Sequence, residues 1–254
     1  MTAWEAVPDP ESPVPSPLTS SPLLLTTPVT FLPYAEALDL QRRLARARSS
    51  GAVGEDVLLL VEHPPVVTLG RSSKVGNLTT PAPLLAANGV ELYEVERGGD
   101  VTFHGPGQLV GYPIVDLKRH RKDLHWYLRQ VEEALIRACD AHGLSCGRNP
   151  GFTGVWTGGR KVASIGVHAR EWVTWHGFAL NVCTNLRYFD LIVPCGIQDV
   201  CMTSLEAELG ERSPSLEAFA ASAGREFAAL FELQTATVAV GELSEMASEL
   251  ETAG

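Results

Sequence analysis

The sequence of 254 residues lacks the features that mark membrane and secreted proteins. No apolar run reaches the roughly 20 residues that a membrane-spanning helix needs. The first residues lack the basic start and apolar stretch of a secretory signal peptide. We therefore expect a cytoplasmic protein that does not bind membranes.

The chain has few cysteines, and their spacing matches no common metal-binding motif. The chain has five cysteines, an odd number, and none of them form a Cys-x-x-Cys pair. This pattern argues against a disulfide framework and against a zinc ribbon, and it fits a reducing compartment. We expect neither a metal site nor a cofactor. The Gly-x-Ser-x-Gly motif of many serine hydrolases is also absent.

An excess of positive charge is missing too, because the formal net charge is −10. General binding of nucleic acid is therefore not expected. The charge is uneven, since residues 97–170 hold eleven Lys and Arg against six Asp and Glu. A basic middle segment in an acidic chain predicts that an acidic partner docks there. The candidates for this docking rim are Lys118, Arg119, Arg121, Lys122, Arg148 and Arg160.

Apolar residues make up 45% of the chain, which is enough for a sizeable core. Apolar periodicity predicts helices from Tyr34 to Ser50, from Leu124 with Asp123 as N-cap, and from Ser213–Pro214 to about Phe231. Gly158–Gly159 predicts a tight hairpin. Together these patterns predict a single α+β domain with a mixed, mostly antiparallel sheet flanked by helices.

Composition also predicts the limits of the domain. Residues 1–21 are rich in proline and serine and lack apolar periodicity, so we expect a disordered tail. Residues 22–236 are expected to form the folded domain. Residues 237–254 are expected to form an acidic C-terminal tail.

The most distinctive stretch is a glycine-rich segment at 97–113, with five glycines and two prolines between two apolar strand candidates. Glycine allows the backbone to approach a ligand closely. The spacing matches neither the P-loop nor the dinucleotide-binding motif. Taken alone, the segment is either the wall of a pocket or an ordinary surface loop.

Four stretches together resemble the lipoyl(octanoyl) transferase family and occur in the family's order. They are Glu62 to Arg71, Arg97-Gly98-Gly99 with Thr102 and His104-Gly105-Pro106-Gly107-Gln108, Gly159 to Val167, and Pro194-Cys195-Gly196-Ile197. The resemblance implies the fold of the biotin/lipoate protein ligase catalytic domain. It also implies an acyltransferase that needs no cofactor and moves an octanoyl or lipoyl group.

The implied partners follow from that reaction. The donor would be octanoyl-acyl carrier protein. The acceptors would be lysines in the lipoyl domains of 2-oxoacid dehydrogenase complexes and in the glycine cleavage H protein.

The resemblance also implies the catalytic residues. Cys195, between Pro194 and Gly196, would carry the acyl group as a thioester. Lys161 would favour the thiolate and relay protons, which an arginine could not do. Cys139 and Cys201 are expected to be structural.

The same resemblance predicts a substrate-binding set. These residues are Arg97, Gly98, Gly99, Asp100, Val101, Thr102, Phe103, His104, Ser164, Ile165, Gly166, Gly177, Phe178 and Ala179. Leu109 is a further candidate for the acyl groove. The family's usual Tyr-His pair is Phe103-His104 here, so a hydroxyl contact is expected to be missing. Backbone N–H groups near Gly98 or Ile165 are candidate oxyanion donors. His63, His168 and His176 are expected to be structural.

Two other function classes stay open at this point. An ATP-dependent lipoate or biotin ligase of the same fold would need Lys161 but no nucleophilic cysteine, so Cys195 favours transfer. A non-catalytic carrier-binding module would need neither residue.

Overall fold

The structure is a computed structural model that describes residues 22–196 and 200–248. The helices are α1 (Tyr34–Ser50), α2 (Ala82–Ala87), α3 (Leu124–Ala141), α4 (Leu205–Leu209), α5 (Leu216–Leu230) and α6 (Val240–Ser248). The strands are β1 (Leu23–Thr26), β2 (Thr30–Phe31), β3 (Asp56–Glu62), β4 (Val66–Leu69), β5 (Glu91–Glu94), β6 (Val101–His104), β7 (Gln108–Ile114), β8 (Gly147–Asn149), β9 (Phe152–Thr157), β10 (Arg160–Arg170), β11 (Val173–Asn181) and β12 (Gln234–Thr237). The predicted tail at 1–21 lies outside the described residues.

The strands form two sheets. The larger has nine strands in the order β12-β1-β3-β7-β11-β10-β9-β8, with β2 beside β3, and the smaller has the order β5-β4-β6. Both sheets mix parallel and antiparallel pairs, and the long central pairs β3–β7, β7–β11 and β11–β10 are antiparallel. The predicted α+β class and the mixed, mostly antiparallel pairing are confirmed.

Helices cover both faces of the large sheet because its strands are apolar on both sides. On β3, Leu58 and Leu60 pack with α3 and α5, whereas Val57 and Leu59 face the core formed with α1 and α6. This alternation follows from the two-residue period of a strand. A third apolar cluster lies under the small sheet.

The predicted limits of α1 and the predicted N-cap of α3 are confirmed, as is one hairpin, whereas the predicted start of α5 is corrected. Asp123 accepts a hydrogen bond from Trp126 N at 3.0 Å and caps α3. Gly158 and Gly159 connect β9 to β10. Helix α5 begins at Leu216 with Ser215 as its N-cap, so the predicted start at Ser213–Pro214 is two residues early.

Folded structure continues past the expected C-terminal boundary at 236. Strand β12 ends at Thr237, and α6 follows with Leu243 and Ala247 buried against α1. Glu242 accepts a hydrogen bond from Ala239 N at 2.7 Å, so part of the acidic character belongs to the start of a helix. Residues 249–254 lie outside the described residues.

The described residues contain neither a candidate membrane span nor a candidate metal cluster. None of their helices is both long and apolar enough to cross a membrane. Within the same ranges, no three His, Cys, Asp or Glu side chains stand close enough to hold a metal ion.

Candidate active site

A cavity of about 500 Å³ lies where strands β6, β7, β10 and β11 meet helices α1 and α3. This volume is within the range of small-molecule sites. All but one of the predicted site residues line it. These are Arg97, Gly98, Gly99, Asp100, Val101, Thr102, His104, Lys161, Ser164, Ile165, Gly166, Gly177, Phe178, Ala179 and Cys195.

The exception is Phe103, which does not reach the cavity. Along β6, Thr102 and His104 point towards it, so the ring of Phe103 points the other way. That ring is fully buried and stacks on Tyr188 with centroids 4.6 Å apart. The phenylalanine therefore removes no hydroxyl from the cavity, because a tyrosine there would face the core. Leu109 also packs in the core, not in the cavity.

The glycine-rich segment meets β10 through its backbone. Gly98 N donates to Val167 O at 2.8 Å. A Cβ placed on Gly166 would stand 2.7 Å from Gly98 O, which is closer than real Cβ atoms approach. Glycine at 166 is therefore required for the two backbones to meet at the cavity wall.

Cys195 and Lys161 are in direct contact in the cavity. Lys161 Nζ donates to Cys195 Sγ at 3.1 Å, and Ser164 Oγ lies 3.6 Å from the same sulfur. Cys195 is half-buried, and its φ of 57° lies in the left-handed region that non-glycine residues seldom adopt. The thiol is thus presented by a backbone conformation that the surrounding structure must hold in place.

Lys161 is only 2% exposed, and two backbone hydrogen bonds hold it in position. Its N–H donates to Cys201 O at 2.8 Å, and its carbonyl accepts from Thr203 N at 2.9 Å. The ring of Trp156 lies 5.4 Å from Nζ. Among the described residues, no carboxylate lies within 4.0 Å of Nζ. A thiolate at Cys195 is therefore the nearest available counter-charge.

Arg97 brings a second buried cation to the wall. Nη2 donates to Thr68 O at 2.7 Å and to Thr68 Oγ1 at 2.9 Å, and Nη1 donates to Gly98 O at 3.1 Å. All of these acceptors are neutral. Burial lowers the pKa of Arg97, which still stays charged as a guanidinium.

The inner end of the cavity is a group of buried aromatic and imidazole rings. His63 Nε2 and Tyr112 OH are 2.7 Å apart, and His104 Nδ1 lies 2.8 Å from Gln108 Oε1. Tyr34 stacks on His104 with centroids 6.1 Å apart. Burial lowers the pKa of His63 to about 4 and that of His104 to about 3. Both imidazoles are therefore neutral near pH 7.

His176 was expected to be structural, but it lines the cavity. Its φ is 54° in the middle of β11, and its N–H donates to the side chain of Gln41 at 2.9 Å. Its Nε2 lies 3.8 Å from Glu96 Oε1. Contacts with His176, Arg42 and Trp175 hold the pKa of Glu96 well below its usual range.

Sequence reasoning also missed lining residues from elements far apart in the chain. These are Tyr34, Val110, Tyr112, Leu128, Gly151, Phe152, Thr153, Val167 and Gly196. Only the inward alternation of β7 could have indicated Val110 and Tyr112. The others depend on the order of the strands.

The basic run lies outside the cavity, on the segment before α3. Leu117 N donates to Trp172 O at 2.8 Å, and Arg119 Nη1 donates to Gly54 O. Arg160 forms an ion pair with Glu208 at 2.7 Å, and Arg148 pairs with Glu132 and Glu133. Docking of an acidic partner on the predicted rim stays a prediction.

Comparison with known proteins places these features in context. Residues 33–228 match the family described as lipoyl protein ligase A/B catalytic domain. An octanoyltransferase of Acidobacterium capsulatum is 53% identical over 212 residues, covering 78% of this chain and 86% of that protein. One of Solibacter usitatus is 48% identical over 201 residues, covering 79% and 90%.

Solved structures show a similar fold. A lipoate-protein ligase A bound with ATP matches with a TM-score of 0.68 at 18% identity, covering 91% of this chain and 94% of that one. A bi-partite lipoate protein ligase from Thermoplasma acidophilum, described with its E2 lipoyl domain, matches with a TM-score of 0.67 at 18% identity, covering 91% of each chain. These matches confirm the predicted fold.

Proposed function

This chain belongs to the lipoyl protein ligase A/B family and is an octanoyltransferase of protein lipoylation, and we propose that it acts through an octanoyl thioester on Cys195. The contact of 3.1 Å between Lys161 Nζ and Cys195 Sγ carries this proposal. A thiolate beside a buried ammonium is an activated nucleophile. The acceptor is a lipoyl-domain protein.

In the first half-reaction, the donor is an octanoyl thioester of acyl carrier protein. The Cys195 thiolate attacks the carbonyl carbon, and a new C–S bond forms. The bond to the carrier sulfur then breaks, and the carrier thiolate takes a proton from the Lys161 ammonium. This half-reaction leaves octanoyl-Cys195, the free carrier thiol and a neutral Lys161.

The tetrahedral intermediate needs hydrogen-bond donors for its oxyanion. Strand β9 pairs with β10 only as far as Ala163, and Gly98 N donates to Val167 O. Because backbone groups alternate along a strand, the N–H of Ile165 points outward between these two contacts. Ile165 lines the cavity, and we assign its N–H as an oxyanion donor.

In the second half-reaction, the amine of a lipoyl-domain lysine attacks octanoyl-Cys195. An amide C–N bond forms, the C–S bond breaks, and Cys195 leaves as a thiolate. Neutral Lys161 takes the proton that the amine loses, which restores the starting ion pair. Suitable acceptors are the lipoyl domains of 2-oxoacid dehydrogenase complexes and the glycine cleavage H protein.

The octanoyl chain needs apolar contacts within the same cavity. Val110, Ile165, Val167 and Phe178 supply them. A chain held along these side chains places its carbonyl at the Cys195 end, where both the nucleophile and the proton donor lie.

The test is mass spectrometry of the purified protein after incubation with octanoyl-acyl carrier protein. We expect one octanoyl adduct, located on Cys195, and its loss when a lipoyl domain is added. Cys195→Ala should abolish both the adduct and turnover. Cys201→Ala is the matched control, because Cys201 is exposed and lies beside the backbone of Lys161.

Two results would contradict the proposal. Wild-type turnover by Cys195→Ala would remove the covalent intermediate. Transfer from free octanoate that depends on ATP would instead indicate a ligase. The curated relatives, at 48–53% identity, are octanoyltransferases, which favours transfer.

A further inference from the structure

The turn that carries the nucleophile is built from three segments distant in the chain. Residues 70–72 follow β4, and their N–H groups donate to the carbonyls of Asp100, Arg97 and Gly99. Further along the same loop, Leu78 pairs with Ile192, and Thr80 N donates to Leu191 O at 3.2 Å. The loop thus bridges the glycine-rich segment and the segment before Cys195.

Asn77 stands at the centre of this bridge and contacts both sides. Its backbone carbonyl accepts from Val193 N at 2.8 Å, two residues before the nucleophile. Its side-chain Nδ2 donates to Asp100 Oδ2 at 2.6 Å. The other carboxylate oxygen of Asp100 accepts from Val101 N at 2.7 Å, at the start of β6. One residue, through its backbone carbonyl and its side chain, therefore links the Cys195 segment to a strand of the small sheet.

Gly196 closes the contact from the side of the nucleophile. It has a φ of 65°, and its N–H donates to Val193 O at 3.0 Å. A Cβ on Gly196 would overlap the Asp100 carboxylate and stand 2.9 Å from Asn77 Nδ2. The turn 194–196 is therefore packed directly on the Asn77–Asp100 pair, with no room for a side chain between them.

We propose that Asn77 is a positioning residue, which with Asp100 holds the turn of Cys195 so that its sulfur stays against Lys161. The inference rests on the proposed covalent function and deepens it. Cys195 has a left-handed backbone conformation, which a non-glycine residue keeps only where its surroundings impose it. The hydrogen bond between Asn77 and Asp100 is the contact that imposes it.

The first test measures how fast iodoacetamide alkylates Cys195, located by mass spectrometry, as a function of pH. In Asn77→Ala we expect alkylation near pH 7 to be several-fold slower than in the wild type, because the sulfur leaves the ammonium. Asn88→Ala is the matched control. Asn88 Nδ2 also donates one hydrogen bond, to Leu84 O at 2.7 Å, but this bond lies within the C-terminus of α2 and not at the turn of Cys195.

The second test measures steady-state octanoyl transfer. A nucleophile displaced by about 1 Å loses up to about 100-fold in rate, so in Asn77→Ala we expect kcat to fall between about 10-fold and about 100-fold. KM for the octanoyl donor should change little. The melting temperature of Asn77→Ala should stay close to that of Asn88→Ala, because Asn77 is only half-buried.

A swapped pair separates the hydrogen bond from general packing. Asn77→Asp places two carboxylates face to face and should be as slow as Asn77→Ala. In the double variant Asn77→Asp with Asp100→Asn, the amide at 100 can donate to the carboxylate at 77. We expect this double variant to recover most of the alkylation rate and most of kcat.

The outcomes distinguish this inference from the proposed function. Wild-type alkylation and kcat in Asn77→Ala, or no recovery in the swapped pair, would overturn the positioning role. If alkylation responds as expected but wild-type protein never forms an octanoyl adduct, the positioning role stands and the covalent function fails.

Discussion

The two ends of the cavity are built in opposite ways. At the inner end, Tyr34, His63, His104 and Tyr112 are buried rings on helices and strands or directly after them, and the imidazoles are neutral. At the outer end, a half-buried thiol on a left-handed turn meets the ammonium of Lys161. The inner end is held by packing, whereas the outer end depends on a few polar contacts between loops. The side chains that stabilise the cavity by packing and the side chains proposed to react thus lie at different ends of it.

Removing the ammonium tests the outer end and should have the largest effect. We expect Lys161→Ala to lower kcat by about 100-fold or more, because the activation of the Cys195 thiol and the transfer of protons by Lys161 are both lost. Lys161→Arg should be nearly as slow, since a guanidinium does not release a proton at neutral pH. Single-turnover release of the carrier thiol measures this loss, with Lys74→Ala as the control, because Lys74 is exposed and lies outside both the cavity and the docking rim. Near-normal rates in both Lys161 variants would remove the residue from the mechanism.

Lowering the pH tests whether the imidazoles at the inner end are held neutral. The pKa of His63 falls from 6.5 unfolded to about 4 folded, so its contribution to stability is fully present above about pH 6.5 and is lost as the pH falls towards 4. For His63 alone the loss is about 2 kcal/mol at about pH 5 and about 3 kcal/mol once the pH is below 4, and His104 acts in the same direction. Urea unfolding at about pH 7 and about pH 5 measures it.

The matching variants are His63→Gln and His104→Gln. Each should be less stable at about pH 7 and should show a flatter dependence on pH than the wild type. An unfolding free energy that stays constant between the two pH values in the wild type would show that these imidazoles are not held neutral.

The junction between the two ends is the contact of Gly166 with Gly98. Gly166→Ala should lower the free energy of unfolding by about 1 to 3 kcal/mol, because the added methyl group forces the two backbones apart. Gly241→Ala is the matched control, since nothing lies within 4 Å of its added Cβ and alanine favours the helix. Equal stability of the two variants would show that the backbones at Gly166 and Gly98 can move apart at little cost in free energy.

The smallest effect is expected outside the cavity, on the basic run. Reversing Arg119 and Arg121 to Glu should raise the apparent KM for acyl carrier protein several-fold at low salt. Turnover of a small octanoyl thioester should not change, and high salt should reduce the difference. Arg225→Glu, on α5, is the control. Equal losses with both donors would assign the run to the fold and not to docking.

The sequence contained enough to name Cys195 and Lys161, which the structure brings into contact, but not the surroundings that hold them. Cys195 and Lys161 lie in short motifs with distinctive flanks, so they could be named without a structure. Asn77, Tyr34 and His176 have no such flanks. Only the order of the strands brings Tyr34 and His176 to the cavity, and only the fold brings Asn77 to Asp100 and to the segment before Cys195. Phe103 was misassigned because the motif gave its position but not the face of β6 on which it lies.

The helices show the same difference: signals within a helix could be read from the sequence, whereas contacts between distant segments could not. The cap at Asp123 is a local hydrogen bond, so α3 could be placed from sequence. Helix α6 was missed because its acidic composition resembles a solvated tail. Its burial depends on α1, which lies some two hundred residues earlier in the chain and supplies the contact with Ser244.

The position of β1 in the large sheet has a consequence for how the chain is synthesised. Strand β1 lies between β3 and β12, and Thr26 bonds to Ala236, 210 residues away in sequence. While the ribosome is still adding residues before 234, one edge of β1 has no neighbour, and unpaired edges invite association with other chains. The nascent protein therefore protects this edge only after residues 234–237 have been added, and a chain truncated before them would be prone to aggregate.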